Sequence, residues 1–166
     1  MRKYIFILFI TLLFSCKQEK APTSEDINET LKEIVEGETY AYMKKDYQKW
    51  ASYWDHSNDV LRLDVSKAGF SQSRGWDKNG GKLEGFFKEN PEPITSTFVN
   101  SNYLIFSDIN LAWVAFDQTW TSQSGEKTEA KATITLVKKE NDWKIISYTA
   151  IQYDAEGEDV DTLERE

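Results

Sequence analysis

The chain is poor in several residue types. It has one cysteine, one histidine, two methionines and three prolines in 166 residues. A single cysteine excludes any disulfide within the chain. One histidine and one cysteine do not make the usual zinc or iron ligand sets, and scattered acids do not replace them. No metal and no cofactor are expected. No apolar run reaches the roughly 20 residues that a membrane-spanning helix needs. Positive charge is also scarce: 20 Lys and Arg face 28 Asp and Glu, a formal charge of −8. Such a chain does not seek nucleic acid by charge. Gly80, Gly81 and Gly85 lack the dinucleotide-binding spacing, and no local motif sets up a Ser-His-Asp arrangement.

The N-terminus is rich where the rest is poor. Arg2 and Lys3 precede an apolar run from Tyr4 to Phe14, broken only by Thr11. That is the length of a signal-peptide core. The run ends in "LFSC", and Leu13, Ser15 and Cys16 resemble the lipobox of bacterial lipoproteins. This likeness implies a signal peptide over residues 1–15 and lipidation of Cys16. It also explains the leftover thiol of an exported chain. Removing residues 1–15 takes away two cations and brings the formal charge from −8 to −10. Residues 16–26 read as the lipidated cysteine and a polar tether. Lys17, not Asp, follows the cysteine. The expected location is therefore the cell envelope, at the outer membrane, with the membrane reached through the lipid anchor. At the other end, residues 155–166 form an acidic tail read as disordered.

Between them, residues 27–154 read as one domain. Ile27, Leu31, Ile34, Val35, Ala41 and Tyr42 recur at helical spacing, with Thr23 or Ser24 as a cap. Gly37 sits inside that helix and costs about 1 kcal/mol against alanine. Asp46 caps a second, short helix that carries Tyr47, Trp50, Ala51 and Trp54 on one face. The period then changes to two. Leu61, Leu63 and Val65 alternate with Arg62 and Asp64, a strand, and the next stretch is loop-like with room for a short strand through Phe70. A third helix capped by Asp77 carries Leu83, Phe86 and Phe87. From Ile94 onward the chain reads as an antiparallel meander of long strands, with a bulge near Asn100 to Asn102. Val114, Phe116 and Trp120 share one face of "LAWVAFDQTW", and Trp113 and Ala115 the other. A sheet apolar on both faces needs cover on both, so a homodimer is expected through the face away from the helices.

The segments "KKDYQKWASYWDHSNDVLRL", "GWDKNGGKLEGFFKENPEP", "AWVAFDQTW" and "NDWKIISY" together resemble the NTF2-like superfamily, and within it the SnoaL-like and DUF4440-type bacterial lipoproteins. The resemblance implies an α+β cone: a strongly curved antiparallel sheet wrapped on the N-terminal helix pair, plus a third short helix. It also implies an interior, largely apolar pocket. Members use that pocket as an enzyme site, as in ketosteroid isomerase, SnoaL and scytalone dehydratase, or as a ligand pocket, or fill it as core. Many pair as dimers.

These readings select candidate residues. His56, in the turn-like "DHSND", is open to three roles: general base, pocket rim, or loop residue. Asp117 lies mid-strand on the face of Trp113 and Ala115. In an aromatic pocket its pKa would rise and it could act as acid or base. Its alternative is a cross-strand pair with a lysine such as Lys131. Tyr47, Trp50, Trp54, His56, Trp76, Trp113, Asp117 and Tyr148 are the expected pocket residues. The expected ligand is a small apolar or aromatic molecule. The rival functions are a cofactor-free isomerase or dehydratase using Asp117 or His56, and a dimeric interaction scaffold in the envelope.

Overall fold

The computed structural model describes residues 23–153. The expected signal peptide, Cys16, most of the expected tether and the acidic tail lie outside the described residues.

Helix α1 spans Ser24–Lys44. Thr23 caps it in a capping box: its side chain accepts from the Asp26 N–H, and the Asp26 carboxylate accepts from the Thr23 N–H. The helix thus begins inside the stretch assigned to the tether. Leu31 and Val35 are fully buried on its inner stripe. Helix α2, Tyr47–Ser52, is capped by Asp46, whose Oδ1 accepts from the Lys49 N–H at 2.9 Å. It buries Trp50 and Ala51.

Strand β1, Leu61–Ser66, and strand β2, Gly69–Arg74, form a hairpin that the sequence showed only in part. Helix α3, Trp76–Glu89, starts one residue before the expected cap. Asp77 does not cap it. Gly75 takes the N-cap position at φ 78, with no side-chain bond, a conformation glycine adopts without strain. Backbone bonds fix that corner instead: the Gly75 N–H to the Val60 carbonyl at 2.7 Å, and the Trp76 N–H to the Ser57 carbonyl at 2.9 Å.

Strands β3 (Thr97–Ser107), β4 (Leu111–Thr121), β5 (Lys127–Lys139) and β6 (Asp142–Tyr153) form the meander. The six-stranded order is β2-β1-β6-β5-β4-β3. Every pair is antiparallel except β1 with β6, which is parallel. The β3 register shifts between Ser101 and Leu104, with Asn102 at φ 52. A second shift in β6 leaves Ile146 unpaired between Ile145 and Ser147. Bulges bend a sheet, and this one curves over the helix pair. The enclosed core joins Leu31, Val35, Trp50 and Trp54 to Val114, Phe116, Ile134, Leu136 and Ile145.

Candidate functional site

The site is built around a carboxylate in an apolar stripe. Glu38 lies seven residues after Leu31 and three after Val35, so helical periodicity turns it inward. It is 3% exposed. Its Oε1 accepts from Trp50 Nε1 at 2.6 Å and Trp54 Nε1 at 3.3 Å. The two indoles stand one turn apart and reach the same oxygen. Arg62 Nη1 adds a third contact at 3.4 Å. All three donors take Oε1, and no hydrogen-bond donor among the described residues takes Oε2.

Arg62 and Asp64 come from β1. Alternation puts them on one face, and that face lines a cavity. Arg62 donates to Asp64 through Nε at 2.9 Å and Nη2 at 3.1 Å. Its guanidinium also lies over the Tyr148 ring, 4.5 Å from the centroid. A cavity of about 370 Å³ opens beside this cluster. Glu38, Arg62, Asp64 and Tyr148 form one side, and Gln118, Trp120 and Ala130 from β4 and β5 another. That volume falls within the range of small-molecule pockets.

Burial sets the protonation pattern. It pushes the Glu38 carboxyl above its ordinary 4.5, against the opposing pull of Arg62 and the two indoles. Burial likewise raises the Tyr148 and Tyr42 hydroxyls. For Arg62, burial alone would favour loss of the proton. Asp64, Glu38 and Tyr148 outweigh it and hold the guanidinium charged. The cavity wall thus combines a carboxyl whose pKa burial raises, a fixed cation and phenolic hydroxyls. Such groups can orient a ligand by hydrogen bonds, and a protonated carboxyl can also donate a proton.

No protein-family profile matches the chain, and no curated protein matches it. Solved structures do. An NTF2-like protein of unknown function from Pseudomonas putida superposes with a TM-score of 0.64 at 14% identity, over 81% of this chain and 93% of that one. A candidate ketosteroid isomerase from Parabacteroides distasonis gives 0.56 at 17% identity, over 84% and 94%. The CaMKII hub of S. rosetta gives 0.59 at 16% identity, over 81% and 99%. The chain has the NTF2-like fold.

The NTF2-like domain brings together only some of the expected pocket residues. Tyr148 lines the 370 Å³ cavity, and Trp50 lines a neighbouring one. Trp54 is buried in the wall behind Glu38. Tyr47 and Trp76 stack on Trp50 at 6.1 and 5.8 Å. His56 lies flat on Trp76 with ring centroids 3.9 Å apart, and its Nε2 donates to the Ala51 carbonyl at 3.0 Å. His56 and Trp76 line neither cavity.

Trp113 and Asp117 are displaced entirely. Strand β4 turns Ala112, Val114, Phe116 and Gln118 inward, so period two sends Trp113 and Asp117 to the outer face. There Asp117 pairs with Lys131 at 2.7 Å and accepts from Asn102 Nδ2 at 2.7 Å. Despite some burial, these partners hold its carboxyl below the usual range, the reverse of a poised acid. The lining also differs from the expected apolar wall: Glu38, Arg62, Asp64 and Gln118 were all missed. For Glu38 a signal existed, an acid on the apolar stripe of α1. For Arg62 and Asp64 the alternation was visible, but it does not say which face is inside.

Proposed function

We propose that this domain binds a small amphiphilic molecule in the cavity walled by Glu38, Arg62 and Tyr148. The observation that carries the reading is the buried carboxyl with one oxygen unengaged, beside a guanidinium fixed by Asp64, on a cavity of about 370 Å³. Buried polar groups are normally satisfied, so a wall of this kind fits a ligand with hydroxyl or carbonyl groups on a compact apolar body. A scaffold role alone would not need an unfilled interior.

The test is to fill the space. Ligands found by tryptophan fluorescence should bind the wild type and not Ala130→Phe, whose ring occupies the cavity. Equal binding by both would reject the site.

A second reading is proton-transfer catalysis. Glu38 favours it, because a carboxyl with a raised pKa suits acid–base work. The neighbour described as a candidate ketosteroid isomerase lends the same direction. Asp117 and His56 are set aside as its bases, since neither lines the cavity. If turnover of any ligand is found, Glu38→Gln should lower it by about a hundredfold or more while affinity changes little.

We also propose that the domain works in the cell envelope, tethered through Cys16. The support is the apolar run and "LFSC" alone. Cells should incorporate labelled fatty acid into the wild-type chain and not into Cys16→Ser. A soluble, unlabelled wild type would contradict the anchor.

A further inference from the structure

A second cavity, about 270 Å³, is lined by Asn79, Lys82, Leu83 and Phe86 of α3 and shares the Arg62–Asp64 pair with the first. Tyr42, Arg62 and Asp64 line both. Its remaining wall is of two kinds. Trp50, Leu83 and Phe86 are apolar; Asn79, Lys82 and Ser73 are polar.

Asn79 is the unusual member. It is 3% exposed, and its side-chain nitrogen has no hydrogen-bond partner among the described residues. A buried amide donor left unpaired costs free energy that an acceptor in the cavity would return. Gly80 shows why α3 sits so close: a Cβ there would come within 2.9 Å of Trp76 and 3.1 Å of the Tyr47 hydroxyl. Packing of α3 therefore holds Asn79 against the lobe.

Lys82 stands one helical turn further along the same helix. Its ammonium donates to Ser71 Oγ and meets no carboxylate among the described residues. Asp64, the acid in this lobe, already receives two bonds from Arg62. What the lobe offers to a ligand is therefore donors: an orphan amide and an ammonium, beside an aromatic and aliphatic wall. Hydrogen bonds to an ionised acceptor are the stronger kind. A neutral or cationic ligand would leave Lys82 unanswered.

We propose that this second cavity binds a small monocarboxylate with an aromatic or branched aliphatic body, the carboxylate taking the Asn79 amide and the Lys82 ammonium. The proposal rests on the reading of the interior as a ligand pocket and assigns one lobe its chemistry.

Benzoate and its neutral isostere benzamide are the probes, titrated by calorimetry into the full-length chain. Benzoate should bind at least about tenfold more tightly than benzamide, the size expected when a bond to a charged group is lost. Asn79→Leu should weaken benzoate by a similar factor. Lys82→Met should weaken it by about two- to fivefold, as an exposed ion pair does, and Lys82→Arg should restore it. Lys82 is exposed, so its variants keep the fold even if Asn79→Leu does not. Equal binding of the two probes, or an indifferent Lys82→Met, would overturn the assignment. So would benzoate binding that Ala130→Phe abolishes and Asn79→Leu does not. If other ligands bind beside Tyr148 while benzoate fails, this inference falls alone. If no small molecule binds either lobe, the ligand-pocket reading falls with it.

Discussion

Glu38 occupies a position where α1 would gain more from an aliphatic side chain. Its cost is limited by two indole donors and one guanidinium, all on one oxygen. A carboxyl so placed links folding to pH. The native state keeps the Glu38 proton above 4.5, where the unfolded chain has released it. Folding therefore takes up a proton between 4.5 and the raised value. This contribution to stability is complete below 4.5 and is lost as pH rises through the raised pKa. Glu38→Gln keeps an acceptor for the two indoles and cannot titrate. Its melting temperature relative to wild type should climb as pH rises from 4.5 toward 8. Parallel melting curves across that range would show that Glu38 is not perturbed. Sequence reasoning found the two tryptophans and missed the acid between them, because hydrophobic periodicity counts apolar residues and passes over a charge on the same stripe.

The helices and strands were more legible than the directions they face. Capping residues at Thr23 and Asp46 and the spacing of Trp50 and Trp54 are local signals, and the elements follow them. The bulge at Asn102 was visible as a slip in alternation. The start of α3 was not, because two long-range backbone bonds at Gly75 and Trp76 replace a side-chain cap. The inward face of β1 and β4 was not either, because it depends on partners far along the chain. Gly37 is a test at this scale. Helix propensity says that Gly37→Ala should stabilise α1 by about 1 kcal/mol. Contact says otherwise: a Cβ there would come within 2.6 Å of the Tyr53 ring carbon Cζ, so the ring must move. Gly37→Ala should therefore lower stability in urea titrations, and should raise it in a Tyr53→Ala background. A stabilised single variant would mean that Tyr53 gives way at no cost.

At the scale of the molecule, the sheet has two different faces. The inner one closes on the helices. The outer one exposes Val99, Leu104, Phe106, Leu111 and Trp113 at 36–64% of their full surface, and Phe106 packs on Trp113 across β3 and β4 at 6.0 Å. Monomers rarely leave such a patch uncovered. We propose that two copies pair through this face, beside Asp117 and Lys131, and not through the cavity. Light scattering on residues 21–166 should give twice the chain mass at micromolar concentration, and Phe106→Glu should give one. A wild-type monomer would contradict the pairing. That both faces of β4 are apolar was legible in the sequence, while which of them closes on the helices, and the cavity's polarity, required the fold. Whether the interior is a ligand site organised on Glu38 can be read from indole N–H resonances. Trp50 and Trp54 both donate to Glu38, so a ligand beside that carboxyl must move their two signals. In a fragment titration followed by proton–nitrogen correlation spectra, the Trp50 and Trp54 indoles should show saturable shifts, with Trp113 on the outer face unmoved. Fragments that shift Trp113 and leave Trp50 and Trp54 in place would contradict that site.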